Sequence, residues 1–305
     1  MEGLLPIWKE VGMTSHDVVF KLRKILKTKK IGHSGTLDPD VDGVLPVAVG
    51  KATKTIEYMM DSQKVYTGEV TFGFSTTTED ASGEIVEQTS VPADLNEEMI
   101  DKALQSFIGE IKQTPPMYSA VKVNGKRLYE YARQGITVER PTRKAQIHSF
   151  ERTSPLVFNQ NQQTAAFKFK VECGKGTYVR TLAVDLGLQL GLPSHMSQLT
   201  RKASGGFTAD QAVTLGGVQE LMEANRIEEK LYPLETALSG LEQVEITDAL
   251  FEKIKNGSLL EKDSYMPPSV DRLVFVYQNK AVAIYAPHPS KTAFIKPVKV
   301  LRNEL

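Results

Sequence analysis

Cysteine is almost missing. Cys173 stands alone among 305 residues, so no intrachain disulfide and no cysteine-rich zinc or iron–sulfur site can form. The histidines are few and scattered: His16, His33, His148, His195 and His288 show no HExxH-type spacing, and no protein-bound metal is expected. An excess of either charge is also lacking. With 37 Lys and Arg against 37 Asp and Glu, any basic partner-binding surface has to be local. No apolar run approaches the ~20 residues of a membrane span. The start, MEGLLPIWKEVGMTS, lacks a basic stretch leading into an apolar secretory core. These absences point to a cytoplasmic protein with no membrane partner. The composition, 41% apolar and 24% charged, excludes disorder as the main state. The length suits roughly two domains.

What is present is unevenly distributed. Nearly all the Gly-rich and basic-aromatic segments fall before about residue 215, whereas Val218 to Glu261 carries ten acids against four Lys or Arg. Beyond that shift, RLVFVYQNKAVAIYA reads as two β-runs around a Gln-Asn-Lys turn, with a last apolar run near Ile295 to Leu301. A small β-rich domain is expected over 240–305, after a larger one over 1–239. In the larger part, Thr14 and Asp17 have the spacing of a capping box and open a helix with Val18, Val19, Leu22, Ile25 and Leu26 on one face. The pattern predicts that this helix runs into KLRKILKTKK, six positive charges in ten residues without an acid. Such a run is often only a solvated face. VYTGEVTFGF and AAFKFKVEC alternate as strands; in the second, Phe167, Phe169, Val171 and Cys173 share a face. Helical patterns lie at Asn96 to Ile108, Arg127 to Gln134 and Arg180 to Leu190. A mixed α+β fold, largely antiparallel with flanking helices, is the expectation.

Four segments could carry chemistry. IGHSGTLDPDVDGVLP packs glycines and prolines around Asp38, and Pro39 keeps Asp38 out of the α region, so a stiff turn presents the carboxylate. An Asp-Pro pair is also an ordinary turn initiator. It is not a phosphate-binding P-loop, whose Gly-x4-Gly-Lys-Ser/Thr order is absent. CGKGTYVRTLAVDLG places Thr177, Tyr178 and Arg180 at a strand-to-helix junction, where backbone amides favour an anion or Thr177 simply caps the helix. QTPPMYSAVKVNGKRLYEYARQG interleaves Tyr118, Tyr129 and Tyr131 with Lys122, Lys126, Arg127 and Arg133, stacking faces beside phosphate-pairing cations. An amphipathic surface helix shows the same mixture. KVYTGEVTFGFSTTTEDASGE puts Lys64 and Tyr66 on a strand, followed by a turn around Asp80 that in isolation reads as a hairpin.

Together these segments, in this order, resemble the bacterial tRNA pseudouridine-55 synthases, the TruB family, over about residues 3–215. GHSGTLDPDVDGVLP matches the family's signature loop and KVYTGEVTFGFSTTTEDASG its Lys-x-Tyr strand and Thr-x-Asp-x-x-Gly turn. PPMYSAVKVNGKRLYEYAR matches its RNA-gripping insertion, about 113–145 here, and CGKGTYVRTLAVDLG and LTRKASGGF, from Leu199, its remaining core motifs. Val41 and Asp42 depart from the family's small and neutral residues before Gly43, adding Asp40 and Asp42 near the nucleophile. The resemblance implies that Asp38 is the catalytic nucleophile, kept ionised by Arg180, with Tyr66 stacking on the target base and Tyr66 or Tyr178 moving protons. It implies that His33 fills the gap left by a flipped uridine and that Lys21, Lys24, Lys64, Leu199, Lys122, Lys126, Arg127 and Arg133 contact RNA. The 240–305 segment is similar to the family's small PUA-type RNA-binding domain.

Isomerising uridine to pseudouridine involves no net oxidation, so no cofactor is called for. The expected partner is the T-arm stem-loop of tRNA, met by a monomer without an obligate protein partner. Two other classes use the same residues. A carboxylate glycosidase or nucleoside hydrolase would pair Asp38 with Asp40, Asp42 or Asp80 as second acid. A passive RNA-binding protein would leave Asp38 as a turn residue.

Overall fold

A computed structural model describes residues 1–304. The first helix starts as its capping residues require. Over Ser15–Ile25, the Asp17 N–H donates to Thr14 Oγ1 at 3.1 Å and the Thr14 N–H donates to the Asp17 carboxylate at 2.9 Å. Val18, Val19 and Leu22 are buried on one side. The helix stops sooner than the charge run suggests. Leu26 caps it and Lys27 turns left-handed with φ 51°, so Lys29 and Lys30 lie beyond the helix. Lys27 is followed by β-branched Thr28, a poor continuation for a helix whose apolar stripe has ended.

The chain forms two compact bodies. One is built from Met1–Pro39, Val44–Asp61 and the residues from Gly205 onward; the other from Asp40–Gly43 and Ser62–Ser204. In the first, the strand Gly3–Lys9 lies beside Asp42–Val49, and Ile31–His33 pairs antiparallel with the latter. The helix Ser15–Ile25 covers them through Leu5, Ile7, Val18, Val19, Leu22 and Val47. A five-stranded sheet follows in the order Glu242–Glu245, Leu273–Tyr277, Lys280–Pro287, Phe294–Val300, Leu260–Glu261. Its central hairpin turns at Gln278 and Asn279, both with positive φ, as a two-residue turn with the twist of its strands demands. Val274, Ile284 and Leu301 share a core with Leu4, Val44 and Phe207, which joins this sheet to the N-terminal strands.

In the second body the strand order is Ser194–Ser204, Lys64–Phe72, Thr164–Cys173, Arg143–Arg152, Gly109–Gln113, all antiparallel. Asp42 and Gly43 pair parallel with Thr200 and Arg201 at its edge. Gly43 is obligatory there: a Cβ would lie 2.2 Å from the Arg201 carbonyl oxygen. Phe167, Phe169, Val171 and Cys173 are buried, as their alternation requires. The helices Glu97–Gln105 and Val179–Leu190 pack on the body, and the insertion adds the hairpin Lys122–Val123/Lys126–Arg127 and the helix Leu128–Arg133. The fold is α+β with a large mixed sheet.

Arg302, only 7% exposed, ties the chain's end to its start. It donates to Glu235 at 2.5 Å, to Glu2 at 3.0 Å and to the Ala281 carbonyl at 2.8 Å. Removing this cation would leave two partly buried carboxylates uncompensated. Arg302→Ala should therefore cost roughly 3 kcal/mol in denaturant unfolding of the full chain; an unchanged midpoint would show the cluster to be merely decorative.

Candidate functional site

Asp38 sits half-buried in an irregular loop whose neighbours on both sides are fixed. The Leu37 N–H donates to Ser15 Oγ at 2.9 Å, and the same hydroxyl donates to the Leu37 carbonyl at 3.2 Å. On the other side the Pro39 carbonyl accepts from the Gly12 N–H at 2.9 Å and from the Lys9 ammonium at 3.2 Å. Lys9 is fully buried and spends further hydrogen bonds on the Glu10 and Met13 carbonyls. A buried ammonium needs several carbonyl partners, and a loop without regular structure supplies them. The Asp-Pro loop is therefore a held structure and not merely a tight turn. The sequence reading missed Lys9 and Ser15; the signal for Lys9 was a charge ending an otherwise apolar strand, LLPIWK.

His33, half-buried, lies on the short strand leading into this loop. Lys21 and Lys24 point outward from the first helix, and Phe20 stands 56% exposed among them with the Lys24 ammonium 4.5 Å from its ring centroid. Phe20 was not singled out from sequence, although it falls outside the stripe formed by Val18, Val19 and Leu22. These residues belong to the first body. Lys64, Tyr66, Tyr178, Arg180, Leu199 and the insertion belong to the second.

There, Tyr66 is 7% exposed on the interior strand Lys64–Phe72, between Val171 on one neighbour and Arg201 on the other. Lys64 is also buried and donates to the Ser62 carbonyl at 2.8 Å. Leu199 is half-buried, opposite Gly68. Tyr178 precedes the helix Val179–Leu190 and is clamped by one side chain: Gln113 accepts its N–H at 3.0 Å and donates to its carbonyl at 3.2 Å. Thr177 does not cap the helix; its hydroxyl donates back to the Gly174 carbonyl at 3.1 Å.

Arg180, 6% exposed, is met by the segment that read as a plain hairpin. Its guanidinium donates to the Thr78 carbonyl at 3.0 Å and to the Tyr118 carbonyl at 2.9 Å, and it faces Asp80 Oδ2 at 3.7 Å. Asp80 Oδ1 accepts from Thr78 Oγ1 at 2.6 Å, from Ser82 Oγ at 2.6 Å and from the Ser82 N–H at 3.0 Å. The Thr-x-Asp-x-x-Gly spacing thus builds a turn that aims a carboxylate at Arg180. Gly83 completes it, because a Cβ there would lie 2.5 Å from Thr78 Oγ1. Asp80 is thus a structural member of this turn, with one oxygen bonded within it and the other turned to Arg180. Asp40 is exposed and Asp42 half-buried.

In the insertion, Lys122, Lys126, Arg127 and Arg133 are exposed. Tyr129 is half-buried, and the Arg127 and Arg133 guanidiniums lie 5.8 and 5.3 Å from its ring centroid, so it is a cation-bearing platform and not a bare stacking face. Burial pushes the Cys173 thiol up to about 11, which makes it inert. Among the described residues, no group of three or more His, Cys, Asp or Glu is placed to hold a metal.

Residues 23–179 match the model of the TruB family pseudouridylate synthase N-terminal domain, and residues 180–239 match the tRNA pseudouridylate synthase B C-terminal domain. The chain is 51% identical to a tRNA pseudouridine synthase B from Bacillus pumilus, covering 100% of this chain and 99% of that one. It is 53% identical to its counterpart from Staphylococcus aureus, covering 98% of each. Among solved structures, a chain in the crystal structure of a Cbf5-Nop10-Gar1 complex is similar, with a TM-score of 0.73 at 25% identity over 98% of this chain and 85% of that one.

Ser15→Ala removes both ties to Leu37 and should cost only about 1 kcal/mol of stability. Turnover should fall by about tenfold or more if loop posture limits catalysis. Comparing the unfolding midpoint with kcat checks this; equal losses in both would make Ser15 purely structural.

Proposed function

The chain belongs to the TruB family of pseudouridylate synthases, and we propose that it converts uridine to pseudouridine at position 55 in the T-arm loop of tRNA, through an aspartate nucleophile. The observation that carries the assignment of Asp38 is its bracketed backbone. Ser15 fixes the residue before it, and Lys9 with Gly12 fixes the residue after it, so its carboxylate is presented from a preorganised loop. The matching of that loop to the family's signature supports the same reading.

The reaction breaks the N1–C1′ bond, turns the base and rejoins it through C5. It needs a nucleophilic carboxylate, a base held while detached, and a cleft that keeps water out. In this reading Asp38 is the nucleophile and Arg180 supplies the positive charge that keeps a carboxylate ionised in a dry cleft. Tyr66 stacks on the uracil, worth about 1–3 kcal/mol by alanine substitution. Tyr178 and the Tyr66 hydroxyl are the candidates for proton transfer. The uridine must leave its stack to be reached, and His33 fills the space it vacates. Lys21, Lys24, Lys122, Lys126, Arg127 and Arg133 neutralise phosphates, Lys64 and Leu199 also contact the RNA although Lys64 is buried against the Ser62 carbonyl, and exposed Phe20 adds a stacking face to the basic helix. Residues 240–305 act as a PUA-type RNA-binding domain, and the enzyme works as a cytoplasmic monomer.

T-arm RNA tritiated at uridine C5 provides the test. The enzyme should release tritium without strand cleavage or free uracil, and Asp38→Asn should abolish release while leaving RNA binding within about twofold. Free uracil would mean hydrolysis. Binding without release by the parent protein would make it a passive RNA binder, and loss of binding in the Asn variant would reduce Asp38 to a loop-shaping residue. His33→Ala should slow turnover less than Asp38→Asn does; unchanged flipping kinetics would remove it as the wedge.

A further inference from the structure

The RNA-gripping insertion has little core of its own. Between residues 117 and 139, only Ser119, Val121 and Leu128 are buried, so its posture depends on polar ties at its base. One of those ties is unlike the rest. Glu79, in the turn that carries Asp80, adopts a left-handed φ of 65°, an uncommon state for a residue with a side chain. The backbone is held in it from both sides: the Glu79 N–H donates to the Thr76 carbonyl at 3.2 Å, and the Glu79 carbonyl accepts the Met196 N–H at 3.1 Å. The side chain that results is 19% exposed. Glu79 Oε2 accepts from Thr181 Oγ1 at 3.3 Å, and Glu79 Oε1 faces the Arg140 guanidinium at 3.7 Å.

Arg140 stands at the far end of the insertion, and the same Nη1 donates to the Pro115 carbonyl at its near end, at 3.0 Å. One guanidinium therefore closes the base of the insertion and meets the carboxylate of the Asp80 turn. The near end is tied again where Arg180 donates to the Tyr118 carbonyl.

We propose that Glu79 and Arg140 form a clasp that sets the posture of the RNA-gripping insertion relative to the junction bearing Tyr178 and Arg180, making both positioning residues for RNA engagement. The proposal rests on the RNA-binding role given to the insertion above. The clasp fixes position more than it adds stability. Burial raises the Glu79 carboxyl above the ordinary range despite the opposing pull of Arg180 and Arg140, with half-buried Asp185 adding like charge. A partly buried ion pair of this kind adds little net stability, yet removing Arg140 leaves the more buried Glu79 carboxylate less well compensated.

The test uses the full chain with Glu79→Gln, Arg140→Gln and the double variant. Two readouts are needed: amide exchange at Leu128 and Tyr129, whose N–H groups bond back to Val121 and Ser119, and steady-state turnover of a T-arm hairpin. Each single variant should speed exchange and raise KM by about tenfold with kcat within about twofold, and the double variant should be no worse than either single. Arg140→Lys should recover part of the loss. Unchanged exchange in both singles, additive effects, or a loss confined to kcat would overturn the clasp. If Glu79→Gln does not fold, exchange and KM in Arg140→Gln, with recovery in Arg140→Lys, decide: unchanged exchange or a loss confined to kcat overturns the clasp. Asp38→Asn separates the two readings: it should stop turnover with insertion exchange unaltered. If it keeps turning over, the nucleophile assignment fails while the exchange measurements still judge the clasp.

Discussion

A guanidinium taken out of water has to be met from several directions at once, and much of the second body answers that demand at Arg180. Its partners include the backbone carbonyls of Thr78 and Tyr118 and the Asp80 carboxylate. Each answer constrains a different stretch of chain. Presenting a carbonyl and a carboxylate from one short turn forces the Thr-x-Asp-x-x-Gly spacing and excludes a side chain at Gly83. Presenting the Tyr118 carbonyl fixes where the insertion leaves the sheet. The hydroxyls of Thr78 and Ser82 occupy the other Asp80 oxygen, so the anion cannot swing away from its cation.

The same logic holds the Asp38 loop, again around a buried cation. Here the buried cation is Lys9, and it gathers carbonyls from Glu10, Met13 and Pro39. The loop acquires rigidity without regular secondary structure because its backbone groups serve as ligands for a charge and a hydroxyl. Fixing the peptide units on both sides of Asp38 limits where its side chain can go.

Local patterns were legible where neighbours in sequence decide the outcome. The Thr14–Asp17 box and the alternation from Phe167 to Cys173 were readable, and the Gln-Asn-Lys turn was placed correctly although Lys280 already belongs to the following strand, because caps, pleats and tight turns are set by adjacent residues. The signature loop was recognisable as a shaped segment, yet Ser15 and Lys9, the groups that shape it, lie 22 and 30 residues from their partners. Nothing in the loop's own sequence names them. Asp80 looked like a hairpin residue and does lie between the paired strands Phe74–Thr76 and Ile85–Gln88. Its second role depends on Arg180, far along the chain. The early end of the first helix was missed for a different reason: a run of charge carries no periodicity, so it does not say where the apolar stripe ceases to require a helix.

Buried polar groups are spread unevenly along the chain. The backbone on either side of Asp38 is held by Ser15, Gly12 and the buried Lys9 ammonium. The segment between 117 and 139 has three buried residues, Ser119, Val121 and Leu128, and carries its cations on exposed positions. A segment with so little apolar burial opens at a lower free-energy cost than a loop whose peptide groups are ligands of a buried charge. Neutral overall charge is consistent with local basic surfaces: the acids concentrated from Val218 to Glu261 balance the cations without lying among them in the sequence, so any attraction for anions stays confined to the basic elements.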